Sequence, residues 1–206
     1  MTRYDRRTAL VVVDVQNDFA DPEGGLSVRD ADAVVPVCNQ AARAAIRAGA
    51  FVVYTQDWHP AVTPHFAKDG GVWPVHCVAG TWGAAFQPAL EIVGPSVRKG
   101  SNGEDGYSGF TMRDPVSGET MPTELDALLR TRDIERVVVV GLATDYCVKA
   151  TALDAARLGF ETTVLSDAIA AVDLAPGDGD RALDELRAAG IRVEPSDANA
   201  AGGALT

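Results

Sequence analysis

A run of four valines, at residues 137–140, is the feature that most constrains the fold. An unbroken run of β-branched residues is typical of a strand buried on both faces, as in a parallel sheet. Gly141 ends the run, and residues 144–158 are rich in Ala, Leu, Val and Lys and stop at Gly159. We therefore predict a buried strand, a turn, and a helix with Thr144 as its N-cap.

Cys147 lies three residues after the predicted N-cap, in the first turn of that helix. The helix dipole and the unpaired backbone N–H groups at a helix start favour a thiolate over a thiol, and the same groups could stabilise an oxyanion. These properties suit a catalytic nucleophile. A small cysteine buried as a hydrophobic residue under the helix is the alternative that this stretch leaves open.

Apolar runs elsewhere predict five further strands, at residues 10–13, 51–55, 96–100, 161–165 and 191–193. Helical spacing and cap residues predict three further helices, at residues 30–48, 123–131 and 178–189. Residues 56–83 and 101–118 are predicted to form loops, because proline, tryptophan or glycine interrupts them. Because strands alternate with helices, we expect a doubly wound, mostly parallel sheet.

The chain shows no internal repeat and no interdomain linker, so residues 1–194 are predicted to form a single domain. Beyond Glu194, Asp, Asn, Ala and Gly dominate, which predicts a flexible tail over residues 195–206. No glycine cluster has the spacing of a dinucleotide-binding fingerprint.

The net charge of −11 counts against a nucleic-acid-binding surface and against an anionic membrane partner. The three cysteines are widely spaced and odd in number, which does not suit a disulfide framework and favours a reducing compartment. The apolar run after Arg6 and Arg7 ends at Asp14, too early for a signal-peptide core. We therefore expect a cytoplasmic protein.

All three histidines, His59, His65 and His76, fall within residues 59–76, and Asp57 lies two positions before the first. One carboxylate and three imidazoles suit Zn²⁺, Fe²⁺ or Mn²⁺ better than they suit a structural zinc site rich in thiolates. Cys77 follows His76 directly, and we expect it to be structural, because sequence neighbours seldom reach the same metal. Histidines scattered on a surface loop are the alternative, but the clustering favours a metal site.

Two charged residues stand at the ends of predicted buried strands. Asp14 follows the first strand, and Lys99 lies at the end of the third. Parallel sheets place active sites at the carboxyl ends of their strands. An aspartate that caps a turn is the alternative for Asp14.

Seven short motifs follow one another along the chain, at residues 14–19 (DVQNDF), 57–59 (DWH), 65–66 (HF), 73–77 (WPVHC), 99–100 (KG), 107–110 (YSGF) and 141–148 (GLATDYCV). In this order they resemble the nicotinamidases of the isochorismatase-like cysteine hydrolase superfamily. The resemblance covers about residues 10–193. The Asp-x-His pair with two further histidines separates nicotinamidases from most other members of the superfamily.

The resemblance implies a three-layer αβα sandwich with a central, mostly parallel six-stranded sheet. It also implies a catalytic triad of Asp14, Lys99 and Cys147. The implied oxyanion hole consists of the backbone N–H groups of Ala143 and Cys147, next to a cis peptide bond between Leu142 and Ala143.

The same resemblance implies one divalent metal ion, with zinc as the first choice and iron or manganese as alternatives. The implied protein ligands, which water molecules complete to an octahedron, are Asp57, His59, His65 and His76. The residues implied to clamp a pyridine ring are Phe19, Trp73 and Tyr107.

The implied reaction is the hydrolysis of nicotinamide to nicotinate and ammonia through a cysteine thioester, as part of NAD salvage, with pyrazinamide as a further substrate. A homo-oligomer is compatible with the resemblance, whereas nucleic-acid and membrane partners are not expected. One alternative is another hydrolase of the superfamily that acts on a ureido or N-carbamoyl compound. The other is a non-catalytic metal-binding protein in which Cys147 is a sensor thiol.

Overall fold

The computed structural model describes residues 4–196. Its strands are β1 (Thr8–Val13), β2 (Phe51–Asp57), β3 (Ser96–Lys99), β4 (Thr111–Arg113), β5 (Thr120–Pro122), β6 (Arg136–Leu142), β7 (Glu161–Ala170) and β8 (Arg192–Glu194). Its helices are α1 (Asn17–Ala20), α2 (Ala31–Arg47), α3 (Leu125–Arg130), α4 (Lys149–Arg157) and α5 (Asp178–Ala188). Within residues 4–196, no helix has both the length and the apolar character needed to cross a membrane.

Six strands form one sheet in the order β3-β2-β1-β6-β7-β8, and all neighbouring pairs in it are parallel. The two central strands are the most apolar ones: every residue of β1 is buried, and in β6 all but Arg136 are. Burial on both faces explains the unbroken valine run, since a strand covered on both sides has no polar face. The predicted six-stranded parallel sheet is confirmed.

Helices cover both faces of the sheet and so make three layers. Successive side chains of a strand point to opposite faces. Leu10 and Val12 of β1 pack in a core with α2, whereas Ala9 and Val11 pack in a second core with α3, α4 and α5. This arrangement is the expected αβα sandwich.

The segment after β6 differs from the prediction. Residues Thr144–Val148 form a π-helical turn, in which the Val148 N–H donates to the Ala143 carbonyl at 3.1 Å, and the α-helix proper begins at Lys149. Ala143 precedes the turn and no side chain caps it, so the prediction of Thr144 as an N-cap was wrong. A single widened turn leaves no trace in apolar periodicity, although such turns occur often at functional sites.

Two other features extend beyond the predicted elements. β2 continues to Asp57, where it pairs with Lys99 of β3, and β7 continues to Ala170. β4 and β5 form a separate antiparallel hairpin, of which β4 falls in the predicted loop 101–118. A strand of three residues is too short to show an alternation of apolar and polar residues in the sequence. Whether such a strand forms depends on its pairing with a partner strand.

The predicted division of the chain stays a prediction. The described part ends at residue 196, and residues 197–206 of the predicted tail 195–206 lie outside it. Residues 1–194 as a single domain are likewise an expectation from the sequence.

Gly141 allows β1 and β6 to approach each other just before the π-helical turn Thr144–Val148, which carries the candidate nucleophile Cys147 and is called the nucleophile turn below. It is the register partner of Val13 and has a φ of 110°, which L-residues rarely adopt. A Cβ atom at this position would lie 2.2 Å from the Val13 carbonyl oxygen. Glycine is therefore required at this position for two reasons: its backbone conformation is unfavourable for other residues, and a side chain would clash with the backbone of β1.

We predict that Gly141→Ala lowers the free energy of unfolding by about 3 kcal/mol, because an unfavourable φ adds to a backbone clash that β1 cannot relieve. Urea-induced unfolding followed by circular dichroism measures this loss.

Gly118→Ala is the matched control, because Gly118 also has a positive φ, 74°, but a Cβ atom added there would meet nothing within 4 Å. Its cost is expected to be about 1 kcal/mol, from conformation alone. Equal losses in the two variants would contradict the close approach of β1 to Gly141.

Candidate active site

The site lies at the carboxyl edge of the sheet, where neighbouring strands end side by side. Asp14 follows β1, Asp57 and Lys99 end β2 and β3 as partners in register, and Cys147 lies in the turn after β6. Asp14 has a φ of 47°, a left-handed conformation that aspartate adopts more often than most residues do. The topology thus brings together four charged or nucleophilic side chains from four segments.

Lys99 is the centre of the first cluster and is 1% exposed. Its Nζ lies 2.9 Å from Asp14 Oδ2 and 3.7 Å from Cys147 Sγ. The same ammonium donates a hydrogen bond to Asp57 Oδ1. The Thr55 hydroxyl donates to Asp14 Oδ1 at 2.6 Å. Two carboxylates therefore hold the ammonium beside the sulfur, and the predicted triad of Asp14, Lys99 and Cys147 lies in one place.

Burial and charge act in opposite directions on the ion pair. Burial alone would lower the pKa of Lys99, but Asp14 and Asp57 outweigh it and raise that pKa well above its ordinary value. Burial alone would raise the pKa of Asp57, but Lys99, His59 and His76 outweigh it and hold that pKa at about 2. Lys99 is therefore charged and Asp57 ionised.

Cys147 has the opposite balance. Burial raises the pKa of its thiol well above the ordinary value, and the positive charge of Lys99 offsets this only in part. Burial also raises the pKa of Asp14. The negative charges of Asp14 and Asp57 act on the thiol in the same direction as burial. The expectation that a helix start favours the thiolate took no account of burial beside two carboxylates, and it stays a prediction.

The nucleophile turn is fixed by its own carboxylate. Asp145 accepts hydrogen bonds from the backbone N–H groups of Val172 and Asp173, both at 2.9 Å, which tie the turn to the loop after β7. The peptide bond between Leu142 and Ala143 is cis, as the resemblance implies. Ala143 and Cys147, the two predicted oxyanion-hole residues, line the same cavity.

The second cluster consists of the three histidines. His59, His65 and His76 are all buried, and each offers a ring nitrogen within 4.8 Å of the others. Asp57 Oδ2 lies 3.9 Å from Nε2 of both His59 and His76. The fourth predicted ligand thus stands between the histidines and Lys99.

The hydrogen bonds of these rings fit a metal site. His65 Nδ1 is 2.7 Å from Asp105 Oδ1, and His76 Nδ1 is 2.8 Å from the Pro74 carbonyl oxygen. Among the described residues, neither nitrogen of His59 has a hydrogen-bond partner, although the ring is buried. Burial lowers the pKa of His59 to about 4, so the ring is neutral, as a metal ligand must be. A buried, unpaired imidazole beside a carboxylate is what a divalent ion would satisfy.

A cavity lies beside the two clusters, and four aromatic side chains form part of its wall. Phe19, Trp73 and Tyr107 all line it, as the resemblance implies. The Trp73 indole N–H donates to the Tyr107 hydroxyl at 3.0 Å, which fixes both rings. Tyr146 completes the wall, with its ring centroid 4.9 Å from that of Trp73.

Tyr146, Asp105 and Gln16 lie at or beside the site and were not predicted there. Tyr146 precedes Cys147, and neighbours on an α-helix do not share a face, but the π-helical turn lets both line the cavity. Asp105 lies in a predicted loop that gave no signal. Gln16 is fully buried and bonds both the N–H and the carbonyl of Asp57 at 2.8 Å. Its place in the DVQNDF motif was the available signal.

Comparison with known proteins shows the family to which the chain belongs. Residues 8–198 match the family model described as isochorismatase domain. The chain is 38% identical to the nicotinamidase of Escherichia coli, over 90% of this chain and 93% of that protein. It is 39% identical to the pyrazinamidase of Pyrococcus horikoshii solved in complex with zinc, with a TM-score of 0.82 over 92% of this chain and 99% of that one.

A second solved structure, PnC1 from L. infantum in complex with nicotinate, superposes with a TM-score of 0.84 at 33% identity, covering 96% of this chain and 97% of that one. The match to the family model covers far more than half of the chain, and the relatives are matched over nearly their full length. The chain therefore belongs to the isochorismatase family and is an amidohydrolase within it.

Proposed function

We propose that the protein hydrolyses nicotinamide to nicotinate and ammonia through a thioester on Cys147. One observation carries the proposal: Cys147, which lies beside Lys99 and Asp14, lines an aromatic-walled cavity that Asp57, His65 and His76 also line. Apolar and aromatic walls with a few polar groups are typical of sites that bind small molecules.

The chemistry begins with the Cys147 proton. Asp14, whose carboxylate lies within 4.8 Å of the Cys147 sulfur, accepts this proton as the sulfur attacks the carboxamide carbon. A C–S bond forms, the carbonyl π electrons move to oxygen, and the tetrahedral intermediate then breaks its C–N bond. Asp14 returns the proton to the leaving nitrogen, so ammonia departs and a thioester remains.

Water completes the cycle. Asp14 takes a proton from the water that attacks the thioester carbon, and cleavage of the C–S bond releases nicotinate and restores the thiol. The charged Lys99 offsets the negative charge that builds up on the sulfur in both half-reactions. The backbone N–H groups of Ala143 and Cys147 are the proposed oxyanion hole.

The residues that would hold the metal are Asp57, His59, His65 and His76. A bound divalent ion would accept the pyridine nitrogen of the substrate as a ligand and so orient the carboxamide toward Cys147. The fit rests on the neutral, unpaired His59 ring and on the carboxylate oxygen 3.9 Å from two Nε2 atoms. Zinc is the first choice, in keeping with the zinc complex of the P. horikoshii relative, with iron or manganese as alternatives.

The aromatic wall selects flat substrates. Trp73, Tyr107 and Tyr146 contact one another edge to face, and such a wall of aromatic rings suits a flat six-membered ring. Pyrazinamide has the same shape and a ring nitrogen, so it is proposed as a second substrate. A cytoplasmic location, a homo-oligomeric state and the lack of a nucleic-acid or membrane partner stay predictions.

The alternatives fit the site less well. A thiol sensor has no need of a base and an ammonium within reach of the sulfur, yet Lys99 Nζ lies within 4 Å of both Asp14 and Cys147. A linear ureido or N-carbamoyl substrate has no ring to contact the aromatic wall of the cavity and no ring nitrogen for a metal held by the histidines. Activity on these compounds can be compared with activity on nicotinamide in a single ammonia-release assay.

We predict that the metal-supplied protein releases ammonia from nicotinamide and that Cys147→Ala lowers kcat by about 10³-fold or more, because no other group at the site can form the thioester. Coupled spectrophotometric detection of ammonia measures both rates.

Cys38→Ala is the matched control: Cys38 is a buried cysteine too, but it lies in α2, packed in the core and away from the site. Its kcat should stay within about twofold of the wild type. An inactive wild type, or hydrolysis of ureidoacrylate in preference to nicotinamide, would contradict the proposed substrate.

We predict that His59→Ala loses the metal while the fold persists, because the variant removes one of four ligands from a preformed group. Metal content measured by inductively coupled plasma mass spectrometry should fall well below one ion per chain, with an unchanged far-ultraviolet circular dichroism spectrum.

Asp69→Asn serves as the control, since Asp69 is a polar residue of the same loop that bonds Lys68 and the Thr63 N–H, outside the cluster. It should retain the wild-type metal content. A His59→Ala protein with undiminished metal would refute the ligand assignment.

A further inference from the structure

The three imidazoles of the histidine cluster are held in different ways. The His76 ring bonds a carbonyl of its own loop, that of Pro74, and the His59 ring has no hydrogen bond to the described residues. His65 instead bonds the side chain of Asp105, at 2.7 Å and 40 residues further along the chain. This contact joins the histidine loop to the segment that follows β3.

Asp105 is itself fixed in position. Its backbone N–H donates to the Arg113 carbonyl at 2.7 Å, and its carbonyl accepts from the Arg113 N–H at 2.6 Å, so it pairs with the end of β4. The Gly106 N–H donates to Asp105 Oδ1 at 2.8 Å. Asp105 is therefore an anchored acceptor rather than a side chain on a free loop.

The chemistry of the pair defines the state of the ring. An ionised carboxylate only accepts hydrogen bonds, so the hydrogen of a neutral His65 ring must be on Nδ1. The Nε2 lone pair is then free to bind a metal ion. We propose that Asp105 is a positioning residue of the metal site, whose carboxylate fixes the orientation and the tautomer of His65.

This inference rests on the proposed metal-dependent function and adds a residue to it. Carboxylates that bond the second nitrogen of a ligating histidine orient the ring and raise its basicity, and their loss typically weakens metal binding by about 10- to 100-fold. The Asp105 side chain is 41% exposed, so water screens its charge. We therefore expect an effect near the lower end, about 10-fold.

A purely structural role is the competing explanation. Tyr107 lies two residues after Asp105 and bonds Trp73, so a disturbed segment could weaken the aromatic wall without any effect on the metal. The test must therefore read the metal and the ring of His65 directly, and not activity alone.

The first experiment measures the zinc affinity of the metal-stripped protein by competition with a chromogenic chelator. Asp105→Ala should bind zinc about 10-fold more weakly, and Asp105→Asn, which keeps the volume and an uncharged acceptor, should lose less. Glu104→Gln is the matched control. Glu104 is the adjacent carboxylate, and its side chain accepts hydrogen bonds from the backbone N–H and the side-chain amide of Asn102. Its zinc affinity should stay within about twofold of the wild type.

The second experiment identifies the tautomer of His65 by long-range ¹H–¹⁵N NMR on metal-stripped, ¹⁵N-histidine-labelled protein. The wild type should show the hydrogen on Nδ1, and Asp105→Ala should show a mixture of tautomers, a change that a structural role would not cause. Unchanged zinc affinity and an unchanged tautomer in Asp105→Ala would overturn the role of Asp105 alone. A wild-type protein that does not bind zinc would overturn the proposed metal site, and this role with it.

Discussion

The buried ammonium of Lys99 is the interaction on which the site depends. Removal of a charge from water costs several kcal/mol unless partners surround it, and the loss of one partner of a buried pair typically costs about 3–5 kcal/mol. Asp14 and Asp57 are those partners. Because Asp57 bonds Lys99 through Oδ1 and faces His59 and His76 through Oδ2, one carboxylate links the nucleophile cluster to the histidine cluster.

The parallel sheet makes this sharing possible. β1, β2, β3 and β6 end at one edge, so Asp14, Asp57, Lys99 and the nucleophile turn meet without any long loop having to carry them there. The sequence segments around them then fix each group in place. Gln16 clamps the backbone of Asp57, and Asp145 clamps the turn that carries Cys147. In the proposed reaction, this arrangement would align nucleophile, base and cavity before a substrate enters.

Much of the fold follows from local sequence patterns. The valine runs predicted the central strands, because full burial removes polar residues, and the clustered histidines predicted a metal-ligand group that the structure brings together. The π-helical turn and the place of Tyr146 in the cavity wall were not predicted. A turn widened by one residue leaves no trace in apolar periodicity, and the wall depends on the rings of Trp73 and Tyr107, which are distant from Tyr146 in sequence. The bond from Asp105 to His65 likewise depends on the pairing of Asp105 with Arg113, which no local pattern shows.

In the proposed reaction, the sulfur of Cys147, held beside Lys99 and Asp14, carries the acyl group during turnover. Acid quenching of the metal-loaded protein during the first turnovers of nicotinamide, followed by peptide mass spectrometry, tests it most directly. We expect a mass increase equal to one nicotinoyl group on the peptide that contains Cys147, and none on those that contain Cys38 or Cys77. Formation of nicotinate while all three cysteines remain unmodified at every quench time would contradict it.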